Sequence, residues 1–458
     1  MVFSSVFFIW IFLPVVLLLY YGSGLLFKND HEKRIKAGNI LLLIASLIFY
    51  GLGGYRYLLL LFAVLIINYC GGIAIGRGIR IALVFTAAAD VGILLFFKFA
   101  DTFTDIILPL GISFYIFQSM SYVIDVYRGN ARVQKSFTDF SLYVSLFPQL
   151  VAGPIVKYSD IERQLAKRDI TTDKFYDGVL RFCFGMGKKV LIANTLAGPV
   201  DAIWGTKTEG LGAGVAWFGA ICYILQLYFD FSGYSDMAIG LGKIFGFEFK
   251  ENFDHPYSSR SIQEFWRRWH ISLSNWFKEY VYIPLGGSRC GNARLVLNYI
   301  IVFGLTGLWH GANWTFVFWG LFNGLLIISE RILTGRLLEK NPVKILNRIY
   351  TIFMVTIGFA VFRSVNITQG FAVLTEMFSK GKGIYTVFSF LSMRVMIAFL
   401  AGCLVSFPIY AKLDAKLSSG RLASLWENSK AFLGIAIFLL SMTEIIAGSY
   451  NPFLYFQF

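Results

Sequence analysis

The chain contains four histidines, whose side chains suit proton transfer at neutral pH: His31, His255, His270 and His310. His310 stands in the segment GLTGLWHGANWTF, residues 304–316, where Trp309 and Trp314 flank it in an otherwise apolar run. Ionisable residues inside a membrane are rare and usually face a cavity or a partner group. We therefore expect His310 to act as a general base, and a structural hydrogen bond between helices is the alternative.

His270 is the second candidate and stands in FWRRWHISLSNW, two residues after Arg268. The neighbouring arginines indicate a position at the membrane interface, so a catalytic and a structural role are equally compatible with the sequence. Because burial disfavours a charged imidazolium, we expect His310 to be neutral and ready to accept a proton. A narrow cavity would also keep bulk water away from a reactive donor.

Acidic residues within apolar segments are further candidates. Asp230 and Asp236 lie in LQLYFDFSGYSDMAIGLGK, where small polar residues between them predict a break in the apolar helix. Asp90 lies in AAADVGILLFFKF. These carboxylates could bind a coupling ion, as in a transporter, or make structural hydrogen bonds.

Motifs of soluble enzymes and metal sites are missing from the sequence. There is no GxxxxGK[ST] loop and no HExxH pair, and GYSDM lacks the second glycine of a nucleophile elbow. The five cysteines are scattered and form no CxxC pair. A histidine acting as general base fits this inventory better than a serine nucleophile or a metal, so no metal site is predicted.

The composition places these residues in a polytopic membrane protein. Hydrophobic residues make up 57% of the 458 residues and charged residues 15%, against roughly 25% charged in soluble domains. The net charge of +14 follows from basic residues in short loops, so no nucleic-acid partner is predicted and membrane lipid is expected around the chain. The apolar segments predict these spans: 3–27, 38–53, 56–76, 80–98, 177–200, 211–229, 294–310, 313–330, 347–363, 386–410 and 430–448.

Other segments are apolar or amphipathic without being long enough to span. Pro and Gly interrupt 104–125 and 138–156, which predicts short, broken or re-entrant helices. The basic and aromatic stretch 243–293 predicts amphipathic helices at the cytoplasmic face, as in SIQEFWRRWHISLSNWFKEYV. The architecture predicted is all-α, with about 11 transmembrane helices plus these shorter ones.

Loop charges predict the orientation. KNDHEKRIK, residues 28–36, contains four Lys or Arg and is assigned to the cytoplasm, which places the N-terminus outside. The basic segments 157–168, 331–348 and 412–421 then also lie inside. The terminal NPFLYFQF carries no charged side chain and ends outside.

Several long motifs resemble the membrane-bound O-acyltransferase family, in its bacterial alginate O-acetyltransferase-like branch. They occur in family order from about residue 100 onward: LPLGISFYIFQSMSYVIDVYRG, LFPQLVAGPIVKY, LYFDFSGYSDMAIGLGKIFGF, NFDHPYSSRSIQEFWRRWHISLSNWFKEYVYIPLGGSR, GLWHGANWTFVFWGLFNGLL and NPFLYFQF. Residues 1–100 match mainly in hydropathy. Asp90 stands where this branch would be expected to have an uncharged amide, which leaves its role open.

The resemblance implies a fold and a chemistry. It implies a ring of membrane helices around a central cavity open to both sides, with His310 of the WHG motif as the catalytic histidine and His270 as the second signature residue. It implies acetyl-CoA as a cytoplasmic donor substrate, with no permanently bound cofactor. The acetyl group would pass to an extracytoplasmic partner protein or directly to a polysaccharide hydroxyl, across a bacterial inner membrane.

Further site residues follow from this reading. The phosphates of the donor suit a basic cluster on the predicted cytoplasmic face, because guanidinium groups match phosphate in geometry. The cluster contains Arg260, Arg267, Arg268 and Lys278, and binding of lipid headgroups is the alternative for it. The residues expected to line the cavity are Trp309, Asn313, Asp230 and Asp236.

We expect one acyltransferase domain over residues 1–458. It comprises N-terminal helices in 1–100, a catalytic core in 101–330 and C-terminal helices in 331–458. Two other functions remain open at this point. One is a D-alanyl transferase for teichoic acids that uses a carrier protein as donor. The other is a transporter or flippase, although the paired halves expected of a transporter are not visible.

Overall fold

A computed structural model describes residues 2–27, 29–100, 108–334, 343–381, 383–420 and 422–448. Within these residues the regular secondary structure is helical and no strand is present, so the all-α prediction is confirmed. The terminal segment NPFLYFQF and residues 335–342 of the loop 331–348, both assigned to a side of the membrane above, lie outside the described residues, as do residues 104–107.

Contacts between Cα atoms divide the chain into two compact units. The first unit comprises Met1–Gly185 with Tyr234–Glu251, and the second comprises Met186–Gly233 with Asn252–Phe458. The organisation as a single acyltransferase domain stays a prediction.

The first unit contains nine helices and the end of a tenth. These are α1 (Leu13–Leu26), α2 (His31–Gly51), α3 (Arg56–Gly76), α4 (Ile81–Ala100), α5 (Ile112–Arg128), α6 (Phe137–Ser145), α7 (Phe147–Leu150), α8 (Tyr158–Ala166), α9 (Thr172–Gly187) and the last residues of α11 (Ala213–Ile244). A π-helical turn, Phe8–Phe12, precedes α1. The Asp30 side chain caps α2 by accepting the Lys33 N–H at 3.0 Å, which satisfies a backbone donor at the helix start.

Two buried ionisable side chains of the first unit, Arg168 and Asp90, form hydrogen bonds within the unit. Arg168 is 3% exposed and donates to the Tyr20 hydroxyl, the Asn39 side chain and the Phe245 carbonyl. Asp90 is fully buried and accepts a hydrogen bond from Asn68 at 2.9 Å. These bonds offset the cost of removing charged and polar groups from water, so the packing of the unit accounts for both side chains.

The second unit contains the remaining helices. These are α10 (Asn194–Gly205), the first part of α11, α12 (Ile262–Arg268), α13 (Ile271–Phe277), α14 (Gly291–His310), α15 (Trp314–Ser329), α16 (Lys344–Arg363), α17 (Ile367–Met377), α18 (Met393–Val405), α19 (Ile409–Ser418) and α20 (Ala423–Ile446). Three π-helical stretches adjoin them: Lys188–Ala193, Lys278–Tyr282 and Glu330–Thr334. Two short 3₁₀ turns occupy Pro256–Ser258 and Val387–Phe390.

The described residues contain nine helices long and apolar enough to cross a membrane. A tenth candidate is the pair α18 and α19, which is bent by 63°. This is fewer than the eleven spans predicted. The difference lies at 177–200, which is not among these helices. Lys188 and Lys189 stand in the middle of this segment, at the start of the π-helical stretch between α9 and α10, and interrupt its apolar residues.

The predicted interruptions are confirmed in one segment and wrong in another. Residues 138–156 form two short helices, α6 and α7, as the proline and glycines predicted. The break predicted between Asp230 and Asp236 is wrong, because α11 runs through both as one 32-residue helix. Small residues there suit close packing instead: a methyl group at Gly240 would collide with the Gly178 carbonyl oxygen.

Candidate active site

His310 is the last residue of α14, where the helix ends at the glycine of the WHG motif. Gly311 follows with φ 146° and ψ 175°, a conformation that favours glycine. The Asn313 side chain then caps α15 by accepting the Thr315 N–H at 3.1 Å. The sequence GANW therefore turns the chain sharply and leaves the imidazole of His310 at the junction of two helices.

Aromatic rings surround the His310 imidazole. Its centroid lies 4.7 Å from the Trp309 ring, 5.2 Å from Trp319 and 5.1 Å from Phe362. The rings of Trp319 and Phe362 both meet it at nearly right angles. Such edge-to-face contacts fix the plane of a ring, so the site holds His310 in one orientation within an apolar wall.

His270 lies between α12 and α13 in a left-handed backbone conformation, with φ 43° and ψ 55°. Among the described residues, only His255 and His270 combine a positive φ with a side chain. The His270 side chain is 3% exposed and packs edge-on against Phe231 at 4.7 Å. Strained backbone conformations of this kind concentrate at functional sites, where the surrounding structure enforces them.

The proton position on His270 follows from its neighbour Asn252. The Asn252 Oδ1 atom accepts the backbone N–H of Ser272 at 3.2 Å and the Ser272 hydroxyl at 2.9 Å, which identifies this atom as the oxygen. His270 Nδ1 lies 3.2 Å from the same oxygen and must therefore donate. Its Nε2 is then the acceptor nitrogen of a neutral ring, and burial lowers the pKa of His270 to about 3.

Both histidines line one narrow cavity of about 30 Å³. Its wall is otherwise apolar or aromatic and consists of Leu227, Phe231, Trp266, Trp269, Leu273, Thr306, Trp319, Phe359 and Phe362. A space of this size holds about two water molecules. The cavity therefore suits a very small group and excludes bulk solvent.

A wider cavity of about 630 Å³ adjoins the narrow one, because both are lined by Trp266, Leu273 and Thr306. Its volume lies in the usual range of small-molecule sites, about 300–1,000 Å³. Three cations line it: Arg267, Lys278 and Arg331. The Arg331 guanidinium also stacks over the Tyr299 ring, 5.7 Å from its centroid. The wide cavity therefore suits a phosphate-bearing molecule whose other end reaches the histidines.

The predicted basic cluster is divided between two cavities. Arg267 and Lys278 line the wide cavity, whereas Arg260 and Arg268 line a different one that shares no wall residue with it. Arg268 is also ion-paired with Asp254 and Glu264, at 3.0 Å each. Arg267 and Arg268 are consecutive residues of α12, where neighbouring side chains point about 100° apart, so residues adjacent in the sequence face different cavities.

The four residues predicted to line the cavity have separate positions. Trp309 is buried between the two histidines, 6.3 Å from the His270 ring. Asn313 caps α15 and donates to the Val365 carbonyl at 2.6 Å. Asp230 forms a buried ion pair with Lys189 at 2.5 Å. Asp236, in the first unit, pairs with Arg181 at 2.8 Å. None of these four is among the residues that line the narrow cavity in the part of the chain described.

Several residues of the site were not singled out by the sequence. Asn252 is the first residue of the motif NFDHPYSS and fixes the His270 tautomer, while Arg331 follows the apolar helix α15. Glu330 is fully buried and accepts the N–H groups of Ile262 at 2.6 Å and Gln263 at 3.0 Å, so it caps α12 from a distant helix. The sequence signal that could have identified Glu330 is an acidic residue at the end of an apolar segment.

The described residues contain no group of three or more His, Cys, Asp or Glu side chains that could hold a metal ion. Comparison with known proteins places the site within a known family. A model of the membrane-bound O-acyltransferase family matches residues 130–368, which include both site histidines.

Three curated relatives cover different shares of the chain. The probable alginate O-acetylase AlgI of Pseudomonas putida is 38% identical, with 100% of each chain aligned. The peptidoglycan O-acetyltransferase of Helicobacter pylori is 35% identical, over 82% of this chain and 80% of that protein. The teichoic acid D-alanyltransferase of Bacillus subtilis is 29% identical, over 48% of this chain and 58% of that protein.

Proposed function

The chain belongs to the membrane-bound O-acyltransferase family, and we propose that its histidine site transfers an acetyl group from acetyl-CoA to a hydroxyl of an extracytoplasmic polymer. It is a multi-pass membrane protein and an O-acyltransferase, so the alternative of a transporter or flippase no longer applies. Relatives named for the acetylation of alginate and of peptidoglycan support the acetyl group and a polymer acceptor.

One observation carries the proposal: a narrow apolar cavity with two histidines opens beside a wide cavity with three cations. The wide cavity suits the phosphates of coenzyme A, since arginine and lysine bind phosphate through charge-assisted hydrogen bonds. The narrow cavity has room for an acetyl group and not for a long acyl chain. This combination supports a small acyl group carried on a large phosphorylated donor.

The chemistry assigned to the site uses the two imidazoles in different roles. His310 takes the proton of the acceptor hydroxyl while the hydroxyl oxygen attacks the thioester carbonyl. The carbon–sulfur bond then breaks, and the leaving thiolate takes the proton from His310. His270 is a neutral ring whose Nε2 can only accept, so it orients a water molecule or a second hydroxyl of the acceptor, since the proton of the attacking hydroxyl goes to His310. The apolar walls limit hydrolysis of the thioester.

The direction of transfer and the partners are part of the same proposal. Acetyl-CoA enters from the cytoplasm of a bacterial inner membrane, and the acceptor is a polysaccharide or an extracytoplasmic partner protein that passes the group on. A D-alanyl transferase with a carrier-protein donor is the second candidate, favoured by the likeness to a teichoic acid D-alanyltransferase over 48% of the chain.

Steady-state kinetics on purified protein in detergent separate the roles of the two cavities. His310→Ala should lower kcat by about 10²- to 10⁴-fold, the usual contribution of a general base, and leave the KM for acetyl-CoA unchanged. Arg267→Gln with Lys278→Gln should raise that KM roughly tenfold or more while kcat stays within about twofold, because charged hydrogen bonds to the donor are lost.

The matched control is Lys344→Gln with Lys416→Gln, which removes two exposed cations outside all three cavities and should change neither constant. Undiminished turnover in His310→Ala would contradict the assignment of the base. An absence of saturable acetyl-CoA binding to the unmodified protein would contradict the donor and favour the carrier-protein alternative.

A further inference from the structure

A third cavity, of about 400 Å³, takes no part in the acyl chemistry proposed above. It shares no wall residue with the narrow or the wide cavity. Its charged residues are Arg260, Arg268, Arg348, Lys412 and Glu264. Its other wall residues are Ser258, Phe407, Pro408 and Ile409. We refer to it as the basic cavity.

The positive charge of the basic cavity is largely uncompensated. Glu264 forms an ion pair with Arg268 at 3.0 Å and accepts the backbone N–H of Arg260 at 2.9 Å. Within the described ranges, no carboxylate lies within ion-pairing distance of the Arg260, Arg348 or Lys412 side chains. The Nε atom of Arg348 is buried there without a hydrogen-bond partner. Three cations around one space predict an anionic ligand.

The surroundings of the basic cavity are apolar and exposed. Phe407 and Pro408 lie in the break between α18 and α19, where the helix axis bends by 63°, and Ile409 begins α19. Ile409 exposes 53% of its surface, and Ile345, three residues before Arg348 on the same face of α16, exposes 54%. Exposed aliphatic side chains next to uncompensated cations match a molecule with an anionic head and hydrocarbon chains.

The residues of this cavity come from segments that the sequence assigned to one side of the membrane. Arg260 and Arg268 lie in 243–293, Arg348 lies at the end of 331–348, and Lys412 begins 412–421. Loop charges placed all three segments in the cytoplasm. Basic pockets between membrane helices on that side bind phospholipid headgroups.

We propose that the basic cavity binds the headgroup phosphate of an anionic phospholipid, whose acyl chains lie along the exposed side chains of Ile345 and Ile409. The lipid anchors α12 to the helices α16 and α19 through its phosphate. Since the site is separate from the wide cavity, the proposal does not depend on the acyl donor.

Native mass spectrometry of the full-length protein, titrated with phosphatidylglycerol and with phosphatidylcholine, tests the proposal. The unmodified protein should retain phosphatidylglycerol in preference to phosphatidylcholine. Arg348→Gln with Lys412→Gln should weaken retention of phosphatidylglycerol by about twenty-five-fold, since each cation near an anionic lipid contributes roughly a factor of five. Arg348→Lys with Lys412→Arg should restore most of the binding.

The control is again Lys344→Gln with Lys416→Gln, which removes the same charge one helical turn away on the same two helices and lies outside the cavity. Equal retention in the two neutralised variants, whether high or low, would overturn the proposal. Displacement of phosphatidylglycerol by equimolar inorganic phosphate would assign the cavity to a free anion instead. A raised KM for acetyl-CoA in Arg348→Gln with Lys412→Gln would assign it to the donor.

Discussion

At the scale of single residues, the protonation of His270 is set by burial and by one amide. The side chain is 3% exposed, its Nδ1 donates to Asn252, and burial lowers its pKa to about 3. An unfolded chain would hold the same imidazole near its ordinary pKa of about 6.5. Between these two values the unfolded state binds a proton that the folded state does not, so His270 makes stability fall as the pH falls from about 6.5 towards 3.

Replacing His270 with Asn should therefore flatten the dependence of stability on pH. At pH 5 the wild-type protein should have lost about 2 kcal/mol of unfolding free energy, relative to neutral pH, that His270→Asn does not lose. Thermal unfolding in detergent at pH 7.5 and pH 5 measures the difference. His31→Asn removes an exposed imidazole and should leave the wild-type dependence intact. Identical pH dependence in wild type and His270→Asn would mean that His270 titrates normally in the fold.

At the scale of elements, the histidine site depends on how closely α14 and α15 approach each other. A methyl group on Gly307 would collide with the Phe316 carbonyl, and one on Gly320 with the Phe303 carbonyl. Small residues at such crossings let two membrane helices pack backbone to backbone. His310 ends one of these helices and Trp319 lies on the other, so the crossing sets the distance between them.

Gly320→Ala should push α14 and α15 apart and impair the site. We expect a loss of about 1–3 kcal/mol in stability, as in overpacked cores, together with a lower kcat. Gly304→Ala, also in α14, is the matched control. Its methyl group would meet only the Leu321 side chain, at an ordinary van der Waals distance of 3.9 Å. Thermal unfolding and turnover measurements on both variants test this prediction. Equal losses of stability and kcat in the two variants would show that the Gly320 contact does not position His310.

At the scale of the whole molecule, the open prediction is the orientation in the membrane. Basic loops predict that residues 28–36 and 157–168 face the cytoplasm and that both termini lie outside. Reporter fusions within these loops should be active only as cytoplasmic reporters, and a fusion after Phe458 only as an exported one. With the N-terminus outside, a cytoplasmic signal at Phe458 would mean an odd number of crossings, such as the eleven predicted, whereas ten spans place both termini on the same side.

The sequence by itself determined the class of protein, and it singled out the two histidines as candidates for the site. Apolar segments with few charges can only be stable in lipid, and His310 was visible because an imidazole in such a segment is rare. The family motifs carried the acyltransferase assignment, which the family match confirms. These signals are local, since hydropathy and motif spacing need no knowledge of distant contacts.

Only the tertiary structure decided which residues share a space. The sequence grouped Arg260, Arg267, Arg268 and Lys278, but the helical turn of α12 points Arg267 and Arg268 towards different cavities. Asn252 could not be linked to His270, because eighteen residues separate the two in the chain. Likewise, Asp230 was read as a cavity residue, and its buried pairing with Lys189 depends on contact between separate helices. Side-chain direction and long-range pairing follow from packing, which the order of residues encodes only through the complete fold.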